Sequence, residues 1–176
     1  LVPYGWPTNG WTTPLLLLIP ALLLLIARRA ATATDLPTYA LPTLCAIGTM
    51  PGWAISHWFL HETTAVGYPF LWFYLPFYWW LFMLLAAKWS RLSITPATSL
   101  PLRLLARLPM ALVLPIVWCA FEFLRGELVL GGYSLYLLGH PLVIPLSHIS
   151  QHVNPLGAIG GYGVSALVVL PAALLA

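Results

Sequence analysis

Charged side chains with a spacing that could do chemistry occur in the stretch CAFEFLRGE, residues 119–127. Glu122 and Arg125 lie three residues apart, so they would be neighbours on one face of a helix. Ionisable groups in apolar surroundings usually pair with each other and face a bundle interior or a cavity. We therefore expect an ion pair in which Arg125 could hold a phosphate or a carboxylate through two hydrogen bonds. The alternative interpretation is an interfacial pair that only ends a helix.

A second polar cluster is the stretch HWFLHE, residues 57–62. His57 and His61 are four residues apart, a spacing that would place both on one helical face and that suits a metal pair. Glu62 could add a third zinc ligand, although it follows the second histidine and not the first. The alternative is a set of interfacial polar residues at a helix end beside Trp58. The pattern is too weak to assign a metal, and no cofactor is expected.

The composition determines which elements must position these residues. Of the 176 residues, 61% are hydrophobic and 6% are charged, whereas about a quarter of the residues in soluble domains are charged. Such a chain cannot build a soluble surface, and long apolar runs without period-two alternation favour helices over a barrel. The predicted fold class is all-α, a polytopic transmembrane helix bundle that forms a single domain over residues 1–176.

The apolar runs predict about five spanning helices and one further segment. Since a span needs about 20 mostly apolar residues, the helices are expected near residues 11–27, 36–60, 65–87, 104–124 and 153–176. The segment 128–149 has no Asp, Glu, Lys or Arg, but its glycines and prolines favour a re-entrant or interfacial segment over a sixth span. Because the sequence opens on Leu1 and not on Met, and ends within an apolar run, we expect a fragment of a longer protein.

The charges predict one orientation through the positive-inside rule. With the pair Arg28 and Arg29 in the cytoplasm, six of the seven basic residues lie inside and three of the four acids lie outside. Glu122 then ends the fourth helix on the outer side. Cys119 precedes it by three residues, but the only lysine, Lys88, falls on the opposite side, so no lysine-activated cysteine nucleophile is expected. The few basic residues mark helix ends and do not indicate a nucleic-acid partner.

Three stretches in the second half of the chain resemble the membrane part of the apolipoprotein N-acyltransferase family. They are FEFLRG at residues 121–126, GGYS at residues 131–134 and GGYGVSALVV at residues 160–169. The resemblance implies an enzyme of the bacterial inner membrane that moves an acyl chain from a phospholipid to the N-terminal cysteine of a diacylglyceryl lipoprotein. It also implies a multi-pass chain with a periplasmic active face, and a catalytic Glu-Lys-Cys domain that is absent from this chain.

The resemblance further implies a set of residues that would border the acyl-transfer site, none of them catalytic. They are Trp58, Glu122, Arg125, Gly126, Tyr133 and Tyr162. The sequence departs from the family at Glu127 and Leu135, where aromatic residues are usual, and residues 148–154 read as an insertion. The residues by themselves also allow a non-catalytic lipid-binding scaffold, or a transporter subunit whose polar pair lines a path.

Overall fold

The computed structural model describes residues 18–62, 64–94, 99, 101, 107–129, 138–139 and 155–175. Within these residues the chain is all-α, as predicted, with five α-helices and no strand. The helices are α1 (Leu18–Thr32), α2 (Ala40–Ser56), α3 (Gly67–Ile94), α4 (Met110–Phe123) and α5 (Pro155–Leu175).

The described helices belong to two compact units. Apart from the first turn of α1, helices α1 to α3 lie within Leu23–Ala106, and α4 and α5 lie within Arg107–Ala176. One short 3-10 turn, Trp58–Leu60, follows α2, and a π turn, Leu124–Leu128, follows α4. The single transmembrane domain expected for residues 1–176 stays a prediction.

Two helices extend beyond the basic residues at which they were predicted to end. Helix α1 continues past Arg28 and Arg29 to Thr32, and α3 continues past Lys88 to Ile94. Arginine and lysine are good helix formers, so a basic residue marks where the apolar surroundings end and not where the helix ends.

Prolines and a turn set the remaining boundaries. Helix α4 begins at Met110 and not near residue 104, because Pro109 precedes it in an extended conformation with ψ 139°. Helix α2 passes through Pro51, but it stops at Ser56, four residues before its predicted end. The predicted segment 128–149 lies mostly outside the described residues.

Helices α2 and α3 form an antiparallel pair. The Trp80 indole donates a hydrogen bond to the Thr43 hydroxyl over 3.0 Å near the start of α2. Near its end, the Tyr68 hydroxyl donates to the Ala54 carbonyl over 2.6 Å. The carboxyl end of α1 joins the carboxyl end of α3, since the Arg91 guanidinium donates to two main-chain carbonyls of α1. The basic residues that the structure describes in this unit therefore lie at one end, namely Arg28, Arg29, Lys88 and Arg91.

Tyr68 provides a test of this pairing. Its ring is buried, and Tyr68→Phe removes only the hydroxyl that reaches Ala54. We expect the free energy of unfolding to fall by about 1 kcal/mol, because a partly buried hydrogen bond is lost. Thermal unfolding in detergent measures the change. Tyr39→Phe, at an exposed position, is the control, and an equal loss in both variants would contradict the expectation.

Helix α3 has the length of a membrane span. Over Gly67–Leu92 it is the one described helix long and apolar enough to cross a bilayer, with a mean hydropathy of 1.6. Helix α5 offers a shorter apolar stretch, Ile159–Leu175. The polytopic arrangement stays a prediction.

Helices α4 and α5 pack against each other, and their contacts indicate that they run in opposite directions. Cys119 lies against the main chain of Tyr162 and Ala166. Phe123, one turn further along α4, meets the ring of Tyr162, which lies nearer the start of α5. Gly160 has a φ of 66°, a left-handed conformation that favours glycine. It kinks α5 two residues before Tyr162.

Candidate functional site

The polar pair of the sequence lies at the end of α4, where the helix widens into the π turn Leu124–Leu128. Glu122 is 5% exposed and Arg125 is 6% exposed. Charged residues are almost never buried to this degree without partners. Gly126 is buried beside them in the π turn. Single π turns occur frequently at functional sites, so this end of α4 is the candidate site.

The Glu122 carboxylate connects α4 with the chain segment that follows it. Its Oε1 accepts a hydrogen bond from the main-chain N–H of Leu138 over 2.7 Å. The Ser165 hydroxyl of α5 and the Trp118 indole also face the carboxylate, and the Arg125 guanidinium interacts with it electrostatically. The second oxygen, Oε2, is buried and has no hydrogen-bond partner in the part of the chain that the structure describes.

Residues 138 and 139 are held between α4 and α5. The N–H of Gly139 donates to the Ser165 hydroxyl over 2.8 Å, while Leu138 is 3% exposed. A Cβ at Gly139 would lie 2.5 Å from the Gly161 carbonyl oxygen and 2.8 Å from the Ser165 main-chain nitrogen. Only glycine permits so close an approach to the main chain of α5.

Tyr162 occupies the outer side of the same cluster. Its hydroxyl donates to Glu127 Oε1 over 2.7 Å, and its ring meets the edge of Phe123 at a centroid distance of 6.0 Å. The Tyr162 carbonyl accepts the thiol of Cys119 over 3.0 Å. Glu127, which departs from the family pattern, thus has a direct partner on α5.

The structure brings together Glu122, Arg125, Gly126 and Tyr162, which the sequence had singled out. It adds three residues that the sequence reasoning missed: Leu138, Gly139 and Ser165. Ser165 is a fully buried hydroxyl in an apolar helix, and such an isolated polar residue is the signal that could have pointed to it. Tyr133, also predicted for the site, lies outside the described residues.

Trp58, His57 and His61 belong to the other compact unit. Trp58 is 64% exposed and stacks on His61 with ring centroids 5.2 Å apart. His57 is fully buried, and its Nδ1 lies 2.9 Å from the Ser56 hydroxyl and 3.0 Å from the Trp53 carbonyl. Because α2 ends at Ser56, one helical face does not present both imidazoles.

No metal site emerges from these residues. His61 and Glu62 are exposed, whereas His57 points into the packing of its own unit. Among the described residues, no group of three or more His, Cys, Asp or Glu side chains could hold a metal ion. The candidate functional site is therefore the cluster at the end of α4, which we call the Glu122 cluster: Glu122, Arg125, Leu138, Gly139, Tyr162 and Ser165.

Comparison with known proteins adds no relative to this geometry. No family model, no curated protein and no solved structure matches the chain.

Proposed function

We propose that this chain is the membrane part of an N-acyltransferase of bacterial lipoproteins. The enzyme moves an acyl chain from a phospholipid to the amino group of the lipidated N-terminal cysteine of a lipoprotein. The membrane part gives lipids access to a periplasmic active site. Its catalytic Glu-Lys-Cys domain is absent from the chain described above.

One observation supports this proposal above the others: segments that resemble the family converge on one carboxylate. Glu122 comes from FEFLRG, and Tyr162 and Ser165 come from GGYGVSALVV. After the GGYS stretch, Leu138 donates a hydrogen bond to Glu122 and Gly139 donates one to Ser165. Glu122 and Ser165, which lie in different stretches of the chain, meet in one buried cluster, as expected if the motifs act together.

The arrangement of charges in the first unit supports insertion into a membrane. Arg28, Arg29, Lys88 and Arg91 lie at one end, and the acidic residue Glu62 follows the opposite end of α2. In the proposed orientation the basic end faces the cytoplasm. The antiparallel trend of α4 and α5 would also return the chain to the side it left, which suits a re-entrant or interfacial segment between them.

Large apolar side chains on the outside of the helices support the same placement. Several are at least half exposed, namely Leu22, Leu25, Phe70, Phe73, Phe77 and Ile116. Exposed apolar side chains are a sign of an interaction with a membrane or with a protein when they are adjacent to one another. In a bilayer they face acyl chains at no cost, so we propose a polytopic bundle in the bacterial inner membrane.

In this proposal the two charged residues have different tasks. Glu122 fixes residues 138–139 against α5 through its hydrogen bond to Leu138. Arg125, held beside the carboxylate in a water-poor environment, borders the acyl-transfer site and can interact with a lipid phosphate. The chemistry of acyl transfer stays with the absent domain.

The activity can be measured with the complete reading frame that encodes residues 1–176. It is expressed in bacteria depleted of their own N-acyltransferase. Mass spectrometry of the N-terminal peptide of a lipoprotein then gives the number of acyl chains that it carries. Three acyl chains on the peptide support the enzyme. Two acyl chains, with the protein correctly inserted, would contradict it and favour a lipid-binding scaffold.

Arg125→Ala should reduce the acyl-transfer rate about 10- to 100-fold, because a buried charge-assisted hydrogen bond contributes on the order of 1.5–3 kcal/mol. Arg125→Lys should restore only part of the rate, since lysine cannot reproduce the planar fork of the guanidinium. The rate of the third acylation measures both. Arg107→Ala, at an exposed position, is the control and should stay near the wild-type rate. Full activity in both Arg125 variants would remove this residue from the mechanism.

A further inference from the structure

A groove lies at the basic end of the first unit, and none of the residues that the proposed acyl transfer uses lines it. Its volume is about 1010 Å³. One wall is the segment that joins α1 to α2, with Thr38 and Tyr39. The other wall is the carboxyl half of α3, with Trp80, Leu84 and Lys88. Polar and apolar groups therefore line the same groove.

Two basic residues line the groove: Arg91 is hydrogen-bonded to the main chain, and Lys88 is exposed. Arg91 donates from Nε to the Ala31 carbonyl over 3.0 Å and from Nη2 to the Ala30 carbonyl over 3.1 Å. These bonds hold the guanidinium at the rim in one position. Lys88, one turn earlier on α3, is exposed and has no ion-pair or hydrogen-bond partner among the described residues.

The lining of the groove carries positive charge only. Asp35 is the one acidic residue in the segment between α1 and α2, and it is not a lining residue. Its carboxylate lies beside the groove and accepts a hydrogen bond over 3.0 Å from the hydroxyl of Thr34, which does line it. The charged lining residues, Lys88 and Arg91, are both cationic and favour an anion.

The apolar part of the groove continues from the charged rim along α3. Trp80 is held by its hydrogen bond to Thr43, and Leu84 lies between it and Lys88 on the same helix. On the facing segment, Leu36 is 47% exposed and Tyr39 is 60% exposed. A soluble anion would leave these apolar surfaces uncovered, whereas a molecule with an acidic head and a hydrocarbon tail would cover them.

We propose that this groove binds an anionic phospholipid of the inner leaflet. The phosphate lies against Lys88 and Arg91, and an acyl chain runs along Trp80 and Leu84. Anionic lipids are attracted to basic residues at the cytoplasmic ends of helices. The site depends on insertion of the chain into a membrane and is independent of acyl transfer, which takes place on the other side in the proposed orientation.

The test is a lipid titration of the full chain, purified in a neutral detergent and followed by native mass spectrometry. The two lipids are dioleoyl phosphatidylglycerol, which is anionic, and dioleoyl phosphatidylcholine, which has the same tails and no net charge. The wild-type chain should retain phosphatidylglycerol in preference. Lys88→Ala should weaken that binding about fivefold, and Lys88→Arg should keep it.

The matched control is Arg107→Ala, which removes one exposed positive charge outside the groove and should leave binding unchanged. Lys88→Met, which retains a long apolar stem, is the second neutral variant and should behave as Lys88→Ala does. Equal binding by the wild-type chain and both neutral variants would overturn the proposal. So would an equal loss in Arg107→Ala, which indicates diffuse attraction. Displacement of the lipid by excess inorganic phosphate would reveal a site for free anions and would also overturn it.

Discussion

Glu122→Leu is expected to lower the free energy of unfolding by about 1–3 kcal/mol and to release residues 138–139 from α4. The substitution removes the acceptor of the Leu138 N–H, and a buried donor without a partner costs about that much. It also removes the carboxylate that faces the buried Arg125 charge. Thermal unfolding in detergent measures the loss, and hydrogen exchange of the peptide that contains Leu138 locates it.

Glu122→Gln separates the hydrogen bond from the charge. Glutamine retains a carbonyl oxygen that can accept from Leu138, so exchange at this amide should stay slow. If Glu122 acts only as an anchor, the acyl-transfer rate should also stay within a few-fold of the wild type, while the leucine variant loses it. Unchanged stability and unchanged exchange in Glu122→Leu would show that the carboxylate does not hold this segment.

Gly139→Ala is the second change with a large expected effect. The added Cβ would meet main-chain atoms of Gly161 and Ser165 at 2.5 and 2.8 Å, and main-chain atoms of a helix cannot rotate aside as a side chain does. We expect a loss of about 1–3 kcal/mol in the free energy of unfolding, the usual cost of overpacking. The displaced segment should also lose its bonds to Ser165 and Glu122. Thermal unfolding and the acylation assay measure both consequences.

The control for this change is Gly48→Ala. Gly48 lies within α2, and a Cβ there would meet nothing within 4 Å. Alanine is the better helix former by about 1 kcal/mol, so this variant should be as stable as the wild type or more so. A double variant, Glu122→Leu with Gly139→Ala, should lose less than the sum of the two, because both act on one contact. Additive losses would contradict a common cause.

The sequence predicted those features that depend on composition and local spacing. The scarcity of charge and the long apolar runs predicted an all-α fold class, and the described residues confirm that class. The three-residue spacing of Glu122 and Arg125 placed them as neighbours, and both are buried at one end of α4. These predictions succeed because apolar content and helical periodicity act within one or two turns of the chain.

The remaining features depend on contacts between distant residues. Gly139 and Ser165 are 26 residues apart, and the need for glycine at 139 arises only when the main chain of α5 lies against it. The spacing of His57 and His61 predicted that both lie on one helical face. That prediction fails for a related reason, because α2 ends at Ser56. Such contacts follow from the register of packed elements, which local spacing does not encode.

The link between Arg91 and α1 has a consequence for how the protein is made. The final carbonyls of α1, at Ala30 and Ala31, obtain their donor from a residue about 60 positions later in the chain. At about 5–20 residues per second, a ribosome needs roughly 3–12 s to reach it. During that interval these two carbonyls lack the guanidinium donor, whereas the preceding carbonyls of Arg28 and Arg29 already accept from the Thr32 hydroxyl. The carboxyl end of α1 therefore gains these two hydrogen bonds only after α3 has been synthesised, and truncated chains that end before Arg91 lack them.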